Sequence, residues 1–278
     1  MRSGEKMTIQ DDMIGKHPDD GLFHDWIRHE DTKCSISKRH RALSEINDYR
    51  EKATIDVAKW LIKYHLSDRS RDSLKRKKEI LEKYDFDEYA NSLKIFPVAD
   101  KTKKGNFGEV LLTEYLSKTS GIEVLVFKLR FNPNPDQSMK GDDVLLVDEN
   151  RVIVGESKFR TIPNGRAVKA ACENMDKELM LPISLGFVAD RLYEAGETEL
   201  ASKIDDIQFK LSKSTMDIKN VGFLISTQNT KRNVERSLEI SNKDFIFVSL
   251  GIDNPKEFME VVFEKAKELV REGEFDEY

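Results

Sequence analysis

The sequence predicts an α/β fold, with a mixed central sheet flanked by helices and a helical N-terminal region before it. Two observations carry this. From residue 105 onward the pattern runs helix, three strands, helix, then strands interleaved with helices. Before that, apolar residues recur at helical spacing, as in "EINDYREKATIDVAKWLIKYHL", which sets Ile46, Tyr49, Ala53, Val57, Trp60, Leu61 and Tyr64 on one face. The expected division is a mostly helical region over residues 1–99 and an α/β domain over 100–278.

Taken in order, residues 1–34 read as irregular, with a mobile start. A helical pattern then runs from Lys38 to Leu93, including a second, basic helix in "SDRSRDSLKRKKEILEKY". "FPVADKTKKGNFG" breaks it, and "NFGEVLLTEYLSK" resumes as a helix up to the turn "TSG". "IEVLVFKLR", "DDVLLVD" and "RVIVGESKF" are rich in Val, Ile, Leu and Phe and bounded by turn residues, so each reads as a strand. "NGRAVKAACENMDKELM" reads as a helix, and residues 189–212 as mostly helical. "VGFLIST" and "DFIFVSLG" are further strands with a helical stretch between them. Asn254 as N-cap and Pro255 at the first position open a C-terminal helix.

Composition narrows the function. Of 278 residues, 38% are hydrophobic and 35% charged, a polar chain still able to build a core. No apolar run is long enough to span a bilayer, and the first residues carry no secretory apolar stretch. Cys34 and Cys172 match neither a zinc spacing nor a disulfide framework, so a reducing, cytoplasmic setting is expected. The net charge of −5 argues against non-specific coating of nucleic acid, but not against a local basic groove. The densest basic stretch, Arg69 to Glu79, is either a solvated helix face or a contact for phosphate or a partner.

The most informative segment is "KGDDVLLVDENRVIVGESKFR". A symmetric turn around Glu149 and Asn150 pairs Val147 with Val152 and Asp143 with Glu156. Opposed residues share a face, and residues two apart on a strand do too. Asp143, Glu156 and Lys158 therefore converge, and Asp142 points the other way. Two opposed carboxylates repel unless something offsets them, and a divalent cation such as Mg²⁺ or Mn²⁺ suits carboxylate and water ligands. Such an ion polarises a phosphoryl oxygen, and Lys158 can meet developing negative charge or orient water. The competing reading is a plain hairpin whose charged ends reach solvent, and a one-residue slip would undo the convergence. On the preceding helix Glu109 borders the apolar face and can supply a third carboxylate. Gly108 within that face allows close approach to the sheet, and Glu114 on the other border is the competing choice.

This set resembles the PD-(D/E)xK nuclease superfamily, with its restriction-endonuclease-like core. The combination of "KGNFGEVLLTEYL", "FKLRFNPNPDQSMKGDDVLLVD" and "VIVGESKFR" is similar to the HamA nucleases of the Hachiman anti-phage system, over roughly residues 100–250. The resemblance implies metal binding by Asp143, Glu156 and Glu109, with Lys158 assisting water attack. It also implies a metal-dependent DNase that acts on DNA beside a HamB-type helicase partner. The superfamily's proline before the aspartate is absent, since Asp142 stands there.

Further residues are open in role. Lys140, Arg166 and Lys169 are candidate phosphate contacts or solvated charges. Trp26 and Trp60 read as core or interface residues. The five histidines all precede the α/β segment, and none pairs with a nucleophile. A catalytically inactive adaptor that docks a helicase, and a stand-alone restriction-type endonuclease, are the alternatives to the nuclease effector.

Overall fold

A computed structural model describes residues 7–32, 35, 38–81, 85–132, 134–137, 143–173, 175, 184–213 and 216–274. Within them, six strands form one sheet: β1 (Ile27–Asp31), β2 (His40–Glu45), β3 (Val144–Val147), β4 (Arg151–Phe159), β5 (Asp217–Ser226) and β6 (Phe245–Gly251). Their order is β1-β2-β6-β5-β4-β3. The four central strands, β2, β6, β5 and β4, run parallel, and β1 and β3 pair antiparallel at the two edges. The chain is thus α/β with a mixed sheet, as the strand patterns predict. The parallel strands read as almost unbroken apolar runs because both of their faces are covered.

The cover comes in two layers. On one face lie α1 (Ile9–Ile14), α2 (Gly21–Trp26), α3 (Arg50–His65), α6 (Asp100–Ser120) and α11 (Pro255–Glu272). On the other lie α7 (Gly165–Cys172), α8 (Ser184–Ala195), α9 (Thr198–Ser212) and α10 (Thr230–Ser237). Strand alternation divides the side chains: Ile153 and Phe159 of β4 enter the first core, and Val152 and Val154 the second. The two remaining helices are α4 (Asp68–Ile80), capped by the Ser67 side chain, and α5 (Phe86–Ser92), capped by Asp85. No described helix is long and apolar enough to cross a membrane.

The N-terminal segment differs from its sequence pattern. The stretch read as irregular holds α1, α2 and β1, and the stretch read as helical from Lys38 opens with β2. Hydrogen bonding to β6 and burial of Ala42 and Leu43 override the short helical spacing there. Arg41 of β2 is fully buried and binds Asp31 through Nε at 2.7 Å, Asp11 through Nη2 at 2.8 Å and the Gly15 carbonyl through Nη1 at 2.7 Å. Gly15, at φ 86°, lies so close to the end of α6 that a Cβ would sit 1.8 Å from the Thr119 carbonyl oxygen. These contacts tie α1 and Gly15 to the sheet and to α6.

Two further differences bear on the site. α6 starts at Asp100, six residues before the expected Asn106, so "DKTKKG" is helix rather than a break. "IEVLVFKLR" forms no strand: Ile122–Phe127 is irregular and Lys128–Phe131 is a 3₁₀ turn. Its apolar side chains are divided between the layers: Val124 and Phe127 pack on one core and Leu125 and Val126 on the other. The segment wraps the layers without joining the ladder. Residues 174 and 176–180 of the helix expected over "NGRAVKAACENMDKELM" lie outside the described residues.

Candidate functional site

The β3–β4 hairpin takes the register that its turn implies. Val147 faces Val152, Leu146 faces Ile153, Leu145 faces Val154 and Val144 faces Gly155. One step further, the same register sets Asp143 opposite Glu156. Asp143 does not continue the ladder. Its Oδ2 accepts the backbone N–H of Ser157 at 2.8 Å, which fixes the carboxylate against β4. Glu156 and Lys158 share one face of β4 and form an ion pair with each other. Both are partly buried, with side-chain exposures of 18% and 24%.

Ser157 points to the opposite face, toward α6. There Gly108 leaves room for it: a Cβ at 108 would meet the Ser157 Oγ at 2.0 Å and Cβ at 3.3 Å. This close approach is what the glycine within the apolar face predicts. It seats the next residue, Glu109, in the protein interior at 7% exposure. Burial pushes the Glu109 carboxyl up to about 8, the nearby Asp143 carboxylate adds to the rise, and Lys128 works against it. Lys128 Nζ lies 3.3 Å from Glu109 Oε2. At neutral pH the balance favours a protonated Glu109 in the metal-free protein.

Glu109, Lys128 and Asp143 line one small cavity of about 40 Å³ beside the edge strand β3. Tyr64, Thr113, Leu185, Val188 and Ile204 also line it. Burial, followed by the carboxylates of Glu114 and Glu109, pushes the Tyr64 hydroxyl well above its ordinary range. Glu156 and Lys158 do not line this cavity. The structure therefore brings Glu109 to Asp143, and Asp143 to the backbone of the Glu-Ser-Lys strand, and it leaves Glu156 and Lys158 engaged with each other.

A divalent cation fits this donor set in one particular way. Among the described residues no three His, Cys, Asp or Glu side chains group as a metal cage. Two carboxylates, Glu109 and Asp143, do line one cavity with volume for a water or two. Mg²⁺ keeps most of its water and needs only one or two carboxylates. Glu109 and Asp143 suit such an ion.

Glu114, the competing glutamate, is also buried but turns toward α3, where Lys63 Nζ lies 3.3 Å away. It does not line the cavity. Arg166 and Lys169 lie together on α7, lining a separate basin with Asn164 and Ser237 beyond the end of β4. Lys140 and Asp142 lie outside the described residues. Trp26 is fully buried, and Trp60 packs at the edge of the first core. The residue missed in the sequence is Lys128. Its signal was there: one lysine inside the apolar run "VLVFKL" needs a buried partner.

Comparison with known proteins agrees with the earlier resemblance. The HamA family model matches residues 20–266. The chain is similar to the Hachiman protein HamA of Bacillus cereus, 55% identical over 270 residues, covering 97% of this chain and 100% of that protein. On both counts, the chain belongs to the HamA family.

Proposed function

We propose that this HamA-family chain is a metal-dependent deoxyribonuclease of the PD-(D/E)xK type, acting as the effector of an anti-phage defence complex beside a HamB-type helicase. The observation that carries it is the placement of Asp143. Its carboxylate is pinned to the Ser157 N–H on the strand bearing Glu156 and Lys158, while α6 brings Glu109 to its other side. The antiparallel β3–β4 hairpin at the edge of a mixed sheet supports the nuclease-type core.

Hydrolysis of a phosphodiester adds water across a P–O bond. The water oxygen bonds to phosphorus, its proton is taken up, and the departing sugar oxygen leaves as an alcohol after protonation. Glu109 and Asp143 would hold a Mg²⁺ or Mn²⁺ ion, with Glu156 as a third ligand once it releases Lys158, and the ion would supply charge neutralisation and a more acidic bound water. Lys158 holds an ammonium where negative charge builds on the phosphoryl oxygens. Glu156 fixes the Lys158 head group in the resting protein through their ion pair. Deprotonation of Glu109 is the step that readies the cavity for a cation.

A second reading is a nuclease-fold adaptor that docks and regulates a helicase without cutting. It is favoured by the mutual pairing of Glu156 and Lys158 and by the lack of a three-donor group among the described residues. Phage challenge of cells carrying Lys158→Ala separates the two. The nuclease reading predicts lost protection at normal protein level. Full protection by the variant would establish the adaptor.

A further inference from the structure

A groove of about 510 Å³ lies between α4, α5 and the 3₁₀ turn at Lys128–Phe131. Its volume is that of a site for a small ligand. Its lining includes three cationic side chains, Arg69, Lys94 and Arg130, and no carboxylate. In a chain with 51 acidic and 46 basic residues that is a local inversion of charge. Asp68 approaches Arg130 at 4.0 Å but is 79% exposed, so it offsets little of this charge. Arg130 is held in place, its Nε donating to the Lys63 carbonyl at 2.9 Å and its guanidinium stacking 4.3 Å from the Phe127 ring centre. Tyr89 adds a half-buried ring to the wall.

The groove adjoins the carboxylate cavity through three shared elements. On α3, Tyr64 lines the cavity and His65 the groove. On α6, Glu109 lines the cavity and Asn106, one turn earlier, the groove. In the 3₁₀ turn, Lys128 serves the cavity and Arg130 the groove. His65 and Asn106 are locked together: His65 Nδ1 lies 2.8 Å from the Leu61 carbonyl, and its Nε2 lies 3.0 Å from Asn106 Nδ2. Neutral imidazole suits this pair, with Nδ1–H donating to the carbonyl and Nε2 accepting from the amide.

The geometry points to a nucleotide-binding groove, in which Arg69, Lys94 and Arg130 hold phosphate and Tyr89 stacks a base. Cationic walls with an interleaved aromatic are the chemistry that grips a single strand irrespective of sequence. A free mononucleotide carries the same chemistry. The groove deepens the nuclease reading, and rests on it only in naming DNA as the strand that continues to Glu109 and Asp143.

Binding is measured on the full chain in EDTA, with fluorescein-labelled dT20 by anisotropy and with dTMP by calorimetry. The wild type binds one of the two. The double variant Arg69→Glu/Lys94→Glu weakens that binding at least tenfold. For dT20 it also flattens the salt dependence by about 1.4 in log–log slope, for two lost phosphate contacts. Arg76→Glu/Lys77→Glu, exposed on the same helix outside the groove, leaves affinity unchanged. Binding of dT20 well above dTMP assigns a strand, and equal or tighter dTMP binding assigns a free nucleotide. No binding of either probe, unchanged affinity in the groove variant, or equal loss in both variants overturns the groove. Since no metal is present, failure of cleavage with intact binding counts against the nuclease reading alone.

Discussion

Gly108 of α6 and Ser157 of β4 touch so closely that a methyl group on Gly108 would lie 2.0 Å from the Ser157 Oγ. This contact joins α6 to β4 next in sequence to Glu109 on the helix and between Glu156 and Lys158 on the strand. The Ser157 Oγ is buried and makes no hydrogen bond, so it fills space rather than satisfying a partner. Gly108→Ala is therefore expected to destabilise the fold by about 1–3 kcal/mol through overpacking. Ser157→Ala alone should be neutral or stabilising, and in combination it should recover part of the loss. A double-mutant cycle by urea denaturation reads the coupling. Strict additivity would mean that the contact is not tight.

Glu109 predicts a pH dependence. Its folded carboxyl titrates near pH 8 and its unfolded one near 4.5. Between these values the folded chain keeps a proton that the unfolded chain has released, so the contribution is full below 4.5 and is lost as pH rises through 8. In EDTA, the stability of the wild type relative to Glu109→Gln should fall steadily from pH 5 to 8 and level off above. A flat difference across that range would show that Glu109 ionises normally.

On the nuclease reading, Asp143 has two separable roles, one structural and one chemical. Asp143→Asn retains an oxygen for the Ser157 N–H and should change stability by less than about 1 kcal/mol while abolishing metal-dependent cleavage. Asp143→Ala also leaves that N–H unpaired, adding about 1–3 kcal/mol of destabilisation. Thermal melts with a cleavage assay distinguish them. Equal activity in Asp143→Asn and wild type would remove Asp143 from the chemistry.

Arg41 anchors the N-terminal segment. Asp31→Ala removes the partner bound at two guanidinium nitrogens and leaves a fully buried charge short of acceptors. The expected cost is about 3–5 kcal/mol. Arg41→Lys should also destabilise, since one ammonium cannot reach Asp11, Asp31 and Gly15 together. Hydrogen exchange in β1 and β2 should report the loss first.

The hairpin register, the approach at Gly108 and the C-terminal helix were legible because each rests on local rules: turn symmetry, a side-chain-free helix face, and Pro255 at a helix start. β2 was not legible, because its six residues become a strand by pairing with β1 and with β6, the latter some two hundred positions later in the chain. Lys128 was hidden by the apolar richness of "IEVLVFKLR". That composition reads as strand, yet serves to face two cores from an irregular segment. The site was legible in its residue types and their faces. What spacing alone did not give is the partition between a cavity that holds Glu109, Lys128 and Asp143 and a neighbouring Glu156–Lys158 pair.

Cleavage itself is the most direct test of the central claim. Supercoiled plasmid is incubated with Mg²⁺ and purified wild type or Glu156→Ala, each with and without the helicase partner, and an EDTA control. The nuclease reading predicts Mg²⁺-dependent degradation by the wild type, alone or in the complex, and none by Glu156→Ala in either setting. Undiminished Mg²⁺-dependent cleavage by Glu156→Ala would contradict it.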